Sequence, residues 1–436
     1  MSNLIVHGGT PLSGRIVPSA NKNAVLPILC ATLLTREPVH LAGIPEITDV
    51  RKILEVFRQL GSDVEVDYAA GTLDVHHRAT HFDPERHHLP EEMRSSIMLV
   101  PGLLARFGVA RIENDVQGCT LGVRGIDPHV EVMERFGARV QRRREALVMR
   151  VEGGLHANDH WLDYASVTTT ENFVLCAALA TGHGGTSTLM NAASEPHVQE
   201  FCAFMTMLGA RIEGIGTSRL TVHGVPALGG GSFSFTEDFH EAVTFMALGV
   251  ITGGSIAVKN SAPEQFPLID RTFAKFGVQV VHEGGWSHTV VDGPLRVKAP
   301  FTQNILQKIE AAPWPYLPVD LLPIFVALGA RAEGSAMFWN KVYEGAMGWT
   351  SELSKFGAHA FMADPHRIIT FGGKPLAPAE VESPYIIRVA IALLMLAASI
   401  PGRSLIKNAA PIRRAHPRFA ENIRMLGAQV EWVEGD

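Results

Sequence analysis

Leu208-Gly209-Ala210-Arg211-Ile212 is one of six similar stretches that recur along this chain of 436 residues. In each stretch a run with helical periodicity ends in leucine or phenylalanine, and a glycine and a short alternation of polar and apolar residues follow. Glycine adopts the left-handed conformation that ends a helix at little cost, and the alternation predicts a strand. The six glycines, 68 to 80 positions apart, are Gly61, Gly137, Gly209, Gly277, Gly357 and Gly427.

This spacing predicts six copies of one βαβαβ-type unit, because each unit also contains an earlier apolar run, such as residues 24–34 or 386–398. A single helix–glycine–strand junction is common in any α/β protein, so one copy alone would indicate little. Six copies at nearly equal spacing instead favour an internal repeat. Six repeats fold most simply as two domains of three, with a cleft between the halves.

Composition argues against several classes of protein. The net charge of −6 disfavours general nucleic-acid binding, and no apolar run is long enough to span a membrane. The first residues lack the basic and apolar segments of a signal peptide, so we expect a cytoplasmic protein. The four cysteines are widely spaced, which is typical of thiols in a reducing compartment and forms no zinc motif. We therefore expect neither a metal nor another cofactor.

Basic residues recur where the predicted helices begin. Free N–H groups at a helix start favour a bound anion, and nearby cations strengthen that preference. One such residue alone is usually a solvated surface charge, but Arg388 lies in the apolar run 385–397, where a charge is rarely buried without a partner. The pattern predicts a ligand with phosphate and carboxylate groups. The cations expected to bind it are Lys22, Arg94, Arg124, Arg388 and Arg414.

Two further features suit a reactive site. Asp238 and Asp320 stand at predicted helix starts, where an aspartate either caps the helix or faces a ligand. Cys119 lies in a glycine-rich loop, five residues before Arg124. A nearby cation lowers the pKa of a thiol, which would make Cys119 a proton donor or a nucleophile near neutral pH. The alternative, an inert small hydrophobic residue, fits the cysteines on apolar runs, which are Cys30, Cys176 and Cys202.

Two motifs carry a resemblance to a known family. Ser19-Ala20-Asn21-Lys22-Asn23-Ala24 resembles the lysine–asparagine element of the enolpyruvyl transferases. Gly118-Cys119-Thr120-Leu121-Gly122-Val123-Arg124-Gly125-Ile126-Asp127-Pro128-His129 resembles the cysteine loop of the UDP-N-acetylglucosamine 1-carboxyvinyltransferase branch. The similarity extends from Leu4 to Trp432. The other branch, 5-enolpyruvylshikimate-3-phosphate synthase, typically has lysine–serine at the first motif and lacks the cysteine loop.

The resemblance implies a fold: a two-domain inside-out α/β barrel built from six repeats, three in each domain. The active site would lie in the interdomain cleft. One domain would comprise residues 22–235, and the other would comprise residues 1–21 plus 236–436. The chain would therefore cross between the domains twice.

The resemblance also implies a reaction between two small-molecule substrates. The enolpyruvyl group of phosphoenolpyruvate would pass to a hydroxyl of a uridine nucleotide, with UDP-N-acetylglucosamine as the leading acceptor. Phosphate would leave after a tetrahedral intermediate.

Residue roles follow from the matched positions. The catalytic set would be Cys119 as general acid, Asp320 as the candidate base, Lys22 and Arg414. The residues that would bind phosphoenolpyruvate are Lys22, Arg94, Arg124, Arg388 and Arg414. The residues that would bind the nucleotide or its sugar are Asn23, Arg124, Asp127, His129, Ser166, Val167, Thr168, Asp320 and Val342.

The chain departs from the family pattern mainly on the acceptor side. Lysine, glycine, arginine, arginine and aspartate are common in the family where this chain has Tyr164, Thr168, Phe239, Ala346 and Ile386. Three alternatives therefore stay open beside the leading one. They are a specialised paralogue that acts on another nucleotide such as uridine monophosphate, a shikimate-type synthase, and a catalytically silent relative that binds nucleotide.

Overall fold

A computed structural model of the protein describes residues 2–90, 93–113, 125–144, 146–302 and 304–434, without the side chain of Arg94. Within these ranges the chain forms twelve α-helices and four short 3-10 helices. The α-helices are α1 Lys22–Thr32, α2 Thr48–Gln59, α3 Val100–Phe107, α4 Asp127–Arg135, α5 Val167–Ala177, α6 Pro196–Met207, α7 Phe239–Thr252, α8 Pro267–Ala274, α9 Leu322–Arg331, α10 Ile387–Ala398, α11 Ala410–Ala415 and α12 Phe419–Met425. The 3-10 helices are Arg94–Leu99, Pro263–Gln265, Val319–Leu321 and Gly348–Phe356.

The described residues also form 23 strands. They are β1 Ser2–Gly8, β2 Gly14–Ile16, β3 Val39–Ala42, β4 Asp63–Asp67, β5 Thr72–His76, β6 Val109–Glu113, β7 Arg139–Arg142, β8 Ala146–Arg150, β9 Asp159–Trp161, β10 Thr186–Met190, β11 Arg211–Glu213, β12 Arg219–His223, β13 Gly231–Ser234, β14 Ile256–Lys259, β15 Val278–Glu283, β16 Trp286–Val291, β17 Gln307–Ala311, β18 Gly334–Asn340, β19 His359–Asp364, β20 Arg367–Gly372, β21 Glu380–Glu382, β22 Gly402–Lys407 and β23 Gln429–Glu434.

These strands form six small sheets in the described part of the chain, of which five are mixed and one (β6, β8 and β7) is antiparallel. Five of the sheets have four strands in one topology: a parallel pair at one edge, followed by two antiparallel neighbours. The strand that follows each repeated glycine is an edge strand of its own sheet, and these strands are β4, β7, β11, β15, β19 and β23. The predicted α/β fold is therefore confirmed, with one sheet for each repeat.

The repeated glycines behave as the sequence predicts. All six have a positive φ, between 77° and 104°, and each lies at the end of a helix. Two details differ from a strict repeat. The helix before Gly357 is the 3-10 helix Gly348–Phe356, and the sheet of the second repeat (β6, β8 and β7) has three strands in the described residues.

Two sheets take their parallel edge strand from a distant part of the chain. β2 precedes α1 in sequence, yet it pairs with β14, and Arg15 lies opposite Ala257. β13 precedes α7, yet it pairs with β3, and Phe233 lies opposite Leu41. β1 completes the last sheet by lying between β22 and β23. These pairings link segments that are hundreds of residues apart.

The described residues divide into two compact units. The first unit comprises residues 20–113 and 125–236, and the second comprises residues 2–19 and 237–434. Each unit has its own apolar core, which is built around α1, α3, α5 and α6 in the first and around α7, α9 and α10 in the second. Cys30, Cys176 and Cys202 are buried thiols in the first core, and burial raises the pKa of each. No helix in the described ranges is both long enough and apolar enough to cross a bilayer.

We expect Gly209→Ala to destabilise the protein by about 1 kcal/mol, because alanine pays a steric penalty at a positive φ. Gly209 has a φ of 103°, and no heavy atom would crowd an added Cβ within 4 Å, so the backbone conformation alone should set the cost. The measurement is the urea unfolding midpoint of each variant.

Gly229→Ala is the matched control in the same unit. Its backbone lies outside the left-handed region, and an added Cβ would meet Leu208 O at an ordinary 3.6 Å. This change should leave the midpoint unchanged or raise it slightly. Equal losses in the two variants would contradict the role assigned to the repeated glycine.

Candidate active site

The start of α5 carries three of the residues predicted to hold the nucleotide. Ser166 is the N-cap residue, but its hydroxyl contacts Thr169 Oγ1 at 2.8 Å, and no side chain among the described residues caps the helix. The Thr170 hydroxyl donates to Ser166 O (2.8 Å) and accepts the N–H of Ala193 (2.9 Å), which fixes the first turn against the segment after β10. The Ser166 N–H donates to Tyr164 O at 2.8 Å, and the N–H groups of Val167, Thr168 and Thr169 remain able to bind an anion.

A buried histidine links α4 to this helix start. His129 Nδ1 accepts a hydrogen bond from the Asn172 side-chain amide at 2.9 Å. This bond leaves the ring proton on Nε2, which donates to Thr168 Oγ1 at 3.3 Å. His129 and Asn172 are both buried, so their ring and amide are held in one orientation. The contact brings two predicted nucleotide residues, His129 and Thr168, together.

A cavity of about 310 Å³ lies beside the same helix start. It is lined by Asp127 and Pro128 from the start of α4, and by Tyr164 and Ser166 from the segment before α5. Its other polar lining residues are Glu131, Glu134, His160 and Asp163. Two predicted nucleotide residues, Asp127 and Ser166, thus line one cavity. Its volume is at the lower end of the range for small-molecule sites, roughly 300–1,000 Å³.

The cavity is rich in carboxylates. His160 is its one basic lining residue, and its ring is buried with no hydrogen-bond partner for Nε2 in the described residues. Burial lowers the pKa of His160, although the carboxylates of Glu131 and Asp163 oppose that effect. A neutral imidazole beside several carboxylates disfavours an anionic group in the cavity and suits a neutral group that donates hydrogen bonds.

Lys22 begins α1 and has a defined partner. Its Nζ lies 2.7 Å from Oδ2 of Asp49, a buried carboxylate in the first turn of α2. Asn21 caps α1 by accepting the N–H of Asn23 at 3.0 Å, and the side chain of Asn23 is exposed. From Ala24 onward α1 is buried, so its one charged residue, Lys22, lies at its start.

A second cluster lies in the second unit, around the start of α7. Asp238 caps α7 by accepting the N–H of His240 at 2.8 Å, and its Oδ2 lies 3.8 Å from Arg388 Nη2. Burial by itself would raise the pKa of Asp238. The hydrogen bond and charge of His240, together with the charges of Arg388 and His416, outweigh burial and hold the pKa well below its usual range. Asp238 is therefore both a helix cap and the counter-ion of Arg388.

Arg388 retains an unused donor. Its Nη1 is buried and has no hydrogen-bond partner in the described ranges. The ion pair to Asp238 is long, at 3.8 Å, and engages Nη2. A buried guanidinium nitrogen without a partner is costly, and an anionic ligand would remove that cost.

Three further predicted residues lie on other elements of the second unit. Arg414 lies half-buried on α11 and has at least one polar or charged neighbour. Asp320 lies on the 3-10 helix before α9, where it does not cap the helix, and its carboxylate has no partner in the described part of the chain. Val342 follows β18, and its N–H donates to Asn340 Oδ1 at 3.0 Å.

Three predicted residues lie wholly or partly outside the described part of the chain. Cys119 and Arg124 lie outside the described residues, and of Arg94 the structure describes only the backbone, at the start of a 3-10 helix. In the ranges that the structure describes, no group of three or more His, Cys, Asp or Glu side chains is placed to hold a metal ion.

Sequence reasoning missed the partners of the predicted residues. Asp49, Asn172, Glu241 and His416 each contact or orient a cluster member, yet none was predicted. Glu241 could have been found, because it is an acidic residue in the largely apolar run of α7, and a charge within an apolar run is the signal that identified Arg388. Asp49 and Asn172 carry no such signal, since only the fold brings them to Lys22 and His129.

Residues 6–423 match the EPSP synthase (3-phosphoshikimate 1-carboxyvinyltransferase) family. The chain belongs to this family. A curated family relative named UDP-N-acetylglucosamine 1-carboxyvinyltransferase, from Bradyrhizobium diazoefficiens, is 36% identical over 434 residues, covering 98% of this chain and 97% of the relative. A protein of the same name from Borrelia garinii subsp. bavariensis is 33% identical over 438 residues, covering 100% of both chains.

Solved structures of EPSP synthase-type proteins share the fold. The enolpyruvyl transferase NikO from Streptomyces tendae matches with a TM-score of 0.85 at 23% identity, covering 100% of this chain and 99% of that one. EPSP synthase from Acinetobacter baumannii matches with a TM-score of 0.78 at 16% identity, covering 100% of both chains. The predicted family resemblance is thus confirmed.

We expect Asn172→Ala to weaken UDP binding about tenfold, because His129 would lose the hydrogen bond that orients its ring toward Thr168. The dissociation constant for UDP can be measured by calorimetry, and the unfolding midpoint can be measured on the same samples.

Ser62→Ala is the matched control in the same unit. His77 is a second buried histidine held at both ring nitrogens, by Ser62 Oγ at 2.7 Å and Thr32 Oγ1 at 2.9 Å. Both Ser62→Ala and Asn172→Ala remove a partner of a buried histidine, so each should destabilise the fold by about 1–3 kcal/mol. Only Asn172→Ala should change UDP binding, and an equal change in both variants would contradict the assignment.

Proposed function

We propose that this protein transfers the enolpyruvyl group of phosphoenolpyruvate to a hydroxyl of UDP-N-acetylglucosamine and releases phosphate. The observation that carries the proposal is the buried Arg388 Nη1, which lacks a partner in the described residues and needs an anion. Support for the acceptor comes from relatives of that name, which are 33% and 36% identical to nearly the full chain.

Phosphoenolpyruvate would be bound by cations that stand at helix starts. Lys22 and Arg388 each stand at the start of a largely buried helix, where helix N–H groups add to their charge. Each also lies beside one buried carboxylate, Asp49 or Asp238, which orients the cation and offsets part of its charge. Arg94, Arg124 and Arg414 would complete the set.

The nucleotide would lie against the first unit. The start of α5 (Ser166, Val167 and Thr168) would hold phosphate oxygens, through the backbone N–H groups of Val167 and Thr168 and the hydroxyl of Ser166. The cavity beside it, lined by Asp127 and Tyr164, would take a neutral part of the nucleotide such as the base. Asn23 and Asp320 would contact the sugar, and Val342 would lie near it.

The chemistry would use addition followed by elimination. The acceptor oxygen adds to C2 of phosphoenolpyruvate as its proton passes to Asp320, and Cys119 protonates C3 to give a tetrahedral intermediate. Loss of a C3 proton and of phosphate then restores the double bond. The cations stabilise the charge that moves onto the phosphate as it leaves.

A second acceptor class is favoured by the cavity lining. Four carboxylates and a neutral His160 line it, and Tyr164 stands where the family often has lysine. This lining would disfavour a second phosphate close to the cavity. A uridine nucleotide with fewer charges, such as uridine monophosphate, is therefore the alternative acceptor.

Phosphate release from phosphoenolpyruvate tests the function, with the products weighed by mass spectrometry. UDP-N-acetylglucosamine, UDP, uridine monophosphate and shikimate 3-phosphate are offered in parallel. We expect an enolpyruvyl mass gain on UDP-N-acetylglucosamine. A gain on uridine monophosphate or UDP alone would replace that acceptor with the second class, and a gain on shikimate 3-phosphate alone would make the protein a shikimate-type synthase. Absence of phosphate with every acceptor would overturn the proposal.

We expect Arg388→Ala to lower kcat/KM for phosphoenolpyruvate by about 100-fold, because it removes a buried charge-assisted donor. Arg388→Lys should recover part of the loss, since lysine supplies charge but no planar pair of donors. Arg296→Ala is the control: Arg296 pairs with Glu333 at 2.7 Å on the surface of the same unit, and its loss should change kcat/KM by less than about twofold. Similar losses in the alanine variants would refute the role of Arg388.

A further inference from the structure

We propose that Glu241 and His416 form a buried pair that positions the phosphoenolpyruvate-binding arginines and weakens phosphoenolpyruvate binding as pH rises through neutrality. This inference rests on the proposed function, because it concerns the arginines assigned there to phosphoenolpyruvate. Glu241 and His416 are positioning residues in this scheme, since their described contacts are with the protein.

Glu241 joins two distant parts of the second unit. Its carboxylate is buried in the first turn of α7, and Oε2 accepts the N–H of Ser19 at 2.6 Å. Ser19 O in turn accepts the N–H of Asp238 at 2.7 Å. The start of α7 and the segment that leads into α1 are therefore held together by a hydrogen bond on each side. Oε1 accepts no hydrogen bond in the described residues, and His416 Nδ1 lies 3.7 Å from it.

His416 belongs to the segment that carries Arg414. It follows α11 directly, its N–H donates to Ile412 O at 2.8 Å, and its side chain is buried. The ring is thus fixed two residues after Arg414. A change in the charge of Glu241 would act on His416 and, through this short helix, on the position of Arg414.

Glu241 also acts on Arg388. The charged groups that influence Glu241 are Asp238 on its own helix, Arg388 on α10 and His416 after α11. Burial and the charge of Asp238 raise the pKa of Glu241 to about 7, although the Ser19 hydrogen bond and Arg388 oppose the rise. Glu241 is therefore largely protonated at pH 6 and largely ionised above pH 8.

Ionisation would place a second negative charge near Arg388, beside that of Asp238. A buried carboxylate competes with an anionic ligand for the same guanidinium. Phosphoenolpyruvate should consequently bind more weakly as pH rises, and a neutral residue at position 241 should remove that trend. Glutamine suits this purpose, because its side-chain oxygen still accepts the Ser19 N–H while its charge is constant.

The test compares the dissociation constants for phosphoenolpyruvate of Glu241→Gln and wild type from pH 6 to pH 8.5, measured by calorimetry. The phosphate of the ligand titrates equally in both proteins, so the ratio of the two constants isolates residue 241. Across this range we expect phosphoenolpyruvate binding to wild type to weaken about fivefold relative to its binding to Glu241→Gln. A ratio that stays constant with pH would overturn the inference.

Asp270→Asn provides the control for a pair of similar kind. Asp270 Oδ2 lies 3.0 Å from His282 Nε2 in the same unit, and neither residue contacts Arg388 or His416 in the described structure. The ratio of the dissociation constants of Asp270→Asn and wild type for phosphoenolpyruvate should not change with pH. His416→Gln supplies a second variant if Glu241→Gln folds poorly, and it should also alter the pH dependence of phosphoenolpyruvate binding. An unaltered dependence in His416→Gln would count against the pair.

Unfolding midpoints separate this inference from the proposed function. The pKa of Glu241 is higher in the folded state than in the unfolded state. Such a group contributes stability that is fully present at a pH below its unfolded-state pKa, and this stability is lost as the pH rises through its folded-state pKa. Wild type should therefore lose stability relative to Glu241→Gln between about pH 4.5 and pH 8. Failure of wild type to bind phosphoenolpyruvate would overturn the proposed function and this role of the pair together. In that case, a stability difference between wild type and Glu241→Gln that changes with pH would still show that Glu241 titrates as described. A difference that stays constant with pH would refute the buried pair itself.

Discussion

The burial of whole helices is the constraint on which the rest of this structure depends. α7 is buried from Phe239 to Ile251, and α10 is buried from Val389 to Ala398. In the first unit α1 and α5 are buried from their third residue onward. Such helices have no solvated face on which a charge can lie at low cost. Charged and polar side chains are therefore concentrated at the helix starts, where the free N–H groups also lie.

This constraint accounts for both clusters. Lys22, Ser166 and Asp238 stand at the starts of α1, α5 and α7, and Arg388 is the second residue of α10. At these places the end of a buried helix meets polar groups from a neighbouring segment. The same burial that stabilises each core thus supplies oriented N–H groups and partly desolvated charges for an anionic ligand.

Desolvation and neighbouring charges then determine which buried carboxylates stay ionised. Asp238 keeps a low pKa because His240 and Arg388 supply hydrogen bonding and positive charge, whereas Glu241, three residues later, has a raised pKa. Two carboxylates this close in a buried region resist simultaneous ionisation. The difference between the two pKa values comes from the partners of each carboxylate. Asp238 is therefore a permanent negative charge near Arg388, whereas the charge of Glu241 depends on pH.

The sequence by itself determined the repeated unit. Glycine at six regular positions ends a helix wherever a positive φ is required, and the apolar runs before those positions are long enough to form buried helices. It also identified Arg388, because a charge inside an apolar run is costly unless it has a partner or a ligand. These properties are local, so they can be read from residues close together in the chain.

Tertiary structure alone decided the pairings over long distances. β2 pairs with β14, and β13 pairs with β3. These pairings depend on which sheet edges are free once the sheets have formed, and no local sequence pattern encodes them. The partners Asp49, Asn172 and His416 likewise acquire a role only through contacts made in the folded chain. Desolvation and neighbouring charges exist only after packing, which is why the pKa of Glu241 could not be anticipated from its place in the sequence.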